Sequence, residues 1–72
     1  MTNRDFLAWM QLRAQQTGKP YRNANAARDL GMNQSNIDRA LARADYAWDQ
    51  RTALACAAVA AGLPPFKQNP PV

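Results

Sequence analysis

The stretch Asn23-Ala-Asn-Ala-Ala-Arg-Asp-Leu-Gly-Met-Asn-Gln-Ser-Asn-Ile-Asp-Arg-Ala-Leu41 decides the fold. It reads as a short helix, a glycine turn and a second short helix. Two helices that cross steeply leave little room where they meet, and Ala26 and Ala27 put small side chains there. The chain must then reverse within a few residues. Gly31 permits this, because glycine enters the left-handed backbone region at almost no steric cost. Leu30, Met32 and Ile37 stand around the turn as apolar contacts that lock the angle. The second helix of such a helix-turn-helix is the part that fits a DNA major groove.

Outward from this core, the punctuation predicts two more helices. Thr2 or Asn3 caps a first helix running to about Gln16, with Phe6, Leu7, Trp9, Met10, Leu12 and Ala14 at three- and four-residue spacing. Gly18 and Pro20 stop it, and Lys19-Pro-Tyr-Arg22 is a basic connector. Asn23 or Asn25 caps the second helix, and Asn33 caps a third that runs from Gln34 to Ala42 or Arg43. An aromatic-bearing loop, Ala44 to Trp48, leads to Asp49, which caps a fourth helix ending near Ala61 before Gly62 and Pro64. No segment alternates like a strand, repeats, or divides the chain. The expected fold is therefore all-α, a compact domain of four to five helices over residues 1–66. A proline-rich tail, 67–72, is expected to be disordered.

Size and composition narrow the chemistry. A chain of 72 residues forms one small domain, and such a domain buries only about 60% of its unfolded surface. Cys56 is the lone cysteine, so no intramolecular disulfide staples it, and its alanine neighbours suggest an inert buried thiol. There is no histidine, no glutamate, no phosphate-cradling glycine loop and no carboxylate cluster, which argues against an enzyme, a bound metal or a cofactor. Nothing reads as a signal peptide or membrane span, so a cytoplasmic location in a bacterial host is expected. Nine Lys/Arg face five Asp, giving a net charge of +4. That balance, on this motif, points towards nucleic acid.

The third helix has a face suited to reading bases. Residues step by roughly 100° around a helix, which sets Ile37, Ala40, Leu41 and Ala44 towards the core and Ser35, Arg39 and Ala42 outward. Asn36 and Arg43 lie on one flank, Gln34 and Asp38 on the other. Arg39 can pair bidentately with guanine, Gln34 or Asn36 with adenine, and Ser35 reaches a base edge or a phosphate. The plain alternative for Arg39 is a pairing with a nearby aspartate. Phosphate contacts are expected from the N-terminus of the second helix, near Asn23 and Asn25, where backbone N–H groups meet an anion. Lys19, Arg22 and Arg28 surround that point with positive charge, and Arg43 adds to it from the third helix.

The segment Ala26-Ala-Arg-Asp-Leu-Gly-Met-Asn-Gln-Ser-Asn-Ile-Asp-Arg39 resembles the helix-turn-helix of small phage repressors and Cro-like, Xre-type regulators. The opening Phe6 and Trp9, and the closing Arg51 to Pro65, are similar to compact phage or prophage members of that group, including regulators encoded beside anti-CRISPR genes. The resemblance covers the chain from about Thr2 to Phe66. It implies a lambda-repressor-like domain that binds an inverted-repeat operator as a homodimer and blocks transcription. It also implicates Gln34, Ser35 and Asn36, with Arg39 one turn later, in base contacts. The chain departs from the family pattern at Ala40, where a larger aliphatic is usual, and at Ala42-Arg43-Ala44, which lacks the usual glycine after the helix.

The fourth helix, Gln50 to Ala61, is apolar nearly all round. Such a helix wants burial on more than one side. One side can meet the core and the other a second copy, with Trp48, Leu54, Ala58, Val59, Leu63 and Phe66 forming the patch. A two-fold dimer sets its recognition helices one DNA turn apart, about 34 Å. The competing readings are a module that docks on a host protein through this helix, or a DNA-binding accessory factor for packaging or recombination.

Overall fold

The structure is a computed structural model, and it describes residues 1–64. Four helices follow one another: α1 (Asn3–Thr17), α2 (Asn23–Leu30), α3 (Gln34–Ala42) and α4 (Gln50–Ala60). The described residues contain no strand, only an isolated antiparallel bridge between Thr2 and Ala47. The domain is all-α, as its periodicity predicts.

Local chemistry explains the boundaries. Thr2 caps α1: its hydroxyl accepts from the Asp5 N–H at 3.2 Å, and the Asp5 carboxylate accepts from the Thr2 N–H at 2.9 Å. Asn33 caps α3 by accepting from the Ser35 N–H, and Asp49 caps α4 by accepting from the Thr52 N–H. Gly18 and Gly31 close α1 and α2 in the left-handed conformation, at φ 70° and 67°. The start of α2 differs from expectation. Neither Asn23 nor Asn25 is the cap; Arg22 holds that position, and Asn25 Oδ1 reaches back to accept from its N–H at 2.9 Å.

The core gathers at the helix crossings. Phe6, Ala26 and Ile37 are fully buried, with Trp9, Met10, Ala27, Ala40, Trp48 and Cys56 around them. Ala26 and Ala27 therefore stand at the tight crossing assigned to them. Phe6 and Trp48 stack with ring centroids 4.0 Å apart and planes nearly parallel. Trp9 Nε1 donates to the Cys56 carbonyl at 2.8 Å, and Gln16 Nε2 to the Ala60 carbonyl at 2.9 Å, tying α1 along α4.

Three apolar assignments change. Leu7 and Leu12 do not belong to the buried stripe of α1; both are exposed. Only one seam of this helix has neighbours to pack against. Ala44 is not on the core face of α3, because the helix stops at Ala42 and Ala44 is exposed. Trp48 is not part of an outer patch but a core residue, drawn inward by its stack on Phe6. Phe66 and the tail 67–72 lie outside the described residues.

Candidate nucleic-acid interface

Ile37 and Ala40 are buried and Leu41 half-buried, and this inner side of α3 anchors the helix. Opposite it, Gln34, Ser35, Asn36, Arg39 and Ala42 are exposed, so the outward face matches the wheel. Two of its polar side chains form a unit. Arg39 Nη2 donates to Asn36 Oδ1 at 2.7 Å, and Arg39 Nε to the Ser35 carbonyl at 3.3 Å. Arg39 makes no ion pair among the described residues, so the pairing with an aspartate does not occur. Asp38 bonds elsewhere: its carboxylate accepts from Asn23 Nδ2 at 2.8 Å, joining the start of α2 to the side of α3.

The Ser35 hydroxyl is already engaged, donating to Asn33 Oδ1 at 3.0 Å. Its first duty is therefore the helix cap. Gln34 has no side-chain partner among the described residues and projects from the first turn of α3. Arg43 lies just past α3 in an extended conformation and is exposed. Its guanidinium and that of Arg39 share a groove of about 370 Å³ with Asn36, Tyr46 and Thr52. That groove runs beside the outward face of α3.

The expected phosphate contacts divide into free and committed groups. Lys19 and Arg22 are exposed at the connector before α2, and no side chain caps the first-turn N–H groups of that helix. Arg28 is largely exposed, although its Nε lies 3.3 Å from Asp29 Oδ1. The amides of Asn23 and Asn25 are used inside the protein, in the bonds to Asp38 and to Arg22. Their part is to shape the helix start; the anion would meet the backbone and the cations.

Sequence reasoning missed a cluster behind α2. The Tyr21 hydroxyl donates to Asp29 Oδ2 at 2.6 Å, and Arg13 lies 3.5 Å from the same oxygen and over the Tyr21 ring. Burial, and then the bond to Asp29, push the Tyr21 phenol up to about 12. The Tyr21 hydroxyl, with Arg28 and Arg13, holds the Asp29 carboxyl below the usual range. The only hint was a lone aspartate inside an otherwise basic segment.

Burial pushes the Cys56 thiol up to about 11, so at neutral pH it is a protonated, apolar filler. No group of three or more metal-ligating side chains is assembled among the described residues, and no helix there is long and apolar enough to cross a membrane. Comparison with family models, with curated proteins and with solved structures found no match for this chain.

Proposed function

We propose that the chain is a sequence-specific DNA-binding regulator that lays α3 in the major groove. The observation that carries this reading is the outward face of α3. It is anchored from behind by Ile37 and carries Gln34, Asn36 and an arginine bound to no carboxylate among the described residues. Arg39 and Asn36 offer donors and acceptors of the kind that read guanine and adenine edges. Lys19, Arg22, Arg28 and Arg43 supply the salt-dependent attraction to phosphates.

The regulator acts as a homodimer on an inverted repeat. Leu54 and Leu63 are 63% and 62% exposed on and just after α4, and with Ala58 and Val59 they offer an apolar surface to a second copy. Repression of a phage or prophage promoter follows from the resemblance of Ala26–Arg39 to phage repressors.

Selection of bound sites from random duplex DNA, with a salt titration on the winner, tests the proposal. Recovery of an inverted repeat with half-sites one turn apart is expected. Weak binding that falls steeply with salt and enriches no sequence would sink it, leaving only phosphate attraction. The surface around Leu54 would then be the place to seek a protein partner.

A further inference from the structure

The last carbonyls of a helix lack intrahelical donors, and a following glycine commonly lets the chain turn back to supply them. After α3 there is no glycine, and Arg43 leaves the helix at φ −102°, ψ 110°. The Arg43 N–H reaches the Ala40 carbonyl at 3.2 Å, and a further donor comes from the start of the chain. Asn3 Nδ2 donates to the Ala40 carbonyl at 3.1 Å and to the Arg43 carbonyl at 2.6 Å. Its Oδ1 accepts from Trp48 Nε1 at 2.7 Å. Only this orientation of the amide satisfies all three bonds, since reversing it sets oxygen against two carbonyls and N–H against N–H. Around it, the Trp48 N–H donates to the Met1 carbonyl at 2.8 Å, and the Tyr46 N–H to the Arg43 carbonyl at 3.1 Å.

We propose that Asn3 is a positioning residue for DNA recognition: its amide takes the place of the missing glycine cap and fixes where α3 ends. The inference rests on the DNA-binding reading above. Asn3 belongs to α1 and touches no residue of the outward face, so it acts through the backbone at Ala40 and Arg43. Those are the neighbours of Arg39 and the origin of the Arg43 side chain. Without the amide each carbonyl keeps only its backbone donor, the Arg43 N–H on Ala40 and the Tyr46 N–H on Arg43, the tie to α1 is lost, and the last turn of α3 frays. Phosphate attraction depends on charge and survives this, whereas base reading depends on registration and does not.

Three variants test the inference. Asn3→Ala removes every bond of the latch. Asn3→Asp keeps the acceptor for Trp48 but sets a carboxylate oxygen against the two carbonyls, and circular dichroism checks that each variant remains folded. Thr2→Ala removes the neighbouring α1 cap and leaves the latch intact. Both Asn3 variants should lower the preference for the selected duplex over random duplex by roughly tenfold, the scale of one lost base contact. They should also speed amide exchange at Arg43 and Tyr46. Thr2→Ala should weaken stability yet leave the preference and those two amides unchanged. An unchanged preference in the Asn3 variants, or an equal loss in Thr2→Ala, overturns the positioning role. A wild-type chain that selects no sequence defeats the DNA reading instead; amide exchange then decides alone whether Asn3 fixes the helix end.

Discussion

In the proposed DNA complex, Arg39 is the residue on which base reading turns. Its guanidinium is held by Asn36 Oδ1 and the Ser35 carbonyl, two neutral acceptors that leave its charge uncompensated. Arg39→Ala should cost about 1–3 kcal/mol on the selected duplex and relax specificity at one base pair. Parallel binding titrations on the selected site and its single-base variants would show it. Binding of all sites as by wild type would overturn the proposed role of Arg39. A second residue-scale prediction concerns alkali. The Tyr21 phenol ionises near 12 when folded and near its ordinary value of 10.0 when unfolded. Between those values the native state holds more protons than the unfolded state, so stability is present below about pH 10 and falls as pH rises. Urea midpoints measured across that window should decline less in Tyr21→Phe than in wild type. The outward residues of α3 were legible in the sequence because exposure follows from the 3.6-residue period. The bonds of Asn3 to Ala40 and of Tyr21 to Asp29 were not, since no period marks contacts made through space.

At the scale of elements, the α2–α3 turn separates strain from crowding. Gly31 sits at φ 67°, yet an added Cβ would meet nothing within 4 Å. Gly31→Ala therefore carries only the left-handed penalty, about 1–2 kcal/mol. Ala26 is fully buried at the crossing, and Ala26→Leu must displace its neighbours at a cost of about 1–3 kcal/mol or more. Chemical denaturation of both variants should rank Ala26→Leu as the more damaging, and the reverse order would mean the crossing is looser than its burial suggests. Helix boundaries were readable wherever a side chain caps its own helix, as Thr2, Asn33 and Asp49 do. Reading failed at α2, whose cap position is an arginine, and along α1. That helix has 15 residues, whereas its partners have 8, 9 and 11, so they cover only part of it and leave Leu7 and Leu12 outside.

For the whole molecule, α4 presents the apolar surface assigned to a second copy in the proposed dimer. A groove of about 260 Å³ between α2 and α4, lined by Leu30, Ala55, Ala58, Val59 and Leu63, adjoins the exposed patch. Leu54 projects from the core-distant side, so Leu54→Asp should leave the monomer folded while abolishing the proposed dimer and its cooperative binding to an operator. Sedimentation of wild type and variant, with circular dichroism as the check on folding, tests this; a variant that still sediments as a dimer moves the interface elsewhere. The division of labour within α3 has a consequence for how such a protein changes over time. Ile37 and Ala40 hold the helix in place, while Gln34 and Arg39 are exposed and lie outside the core. Substitutions on the outer side alter surface chemistry at little expense in folding, so under the proposed function descendants of this chain are free to exchange one recognised sequence for another while the scaffold beneath stays the same.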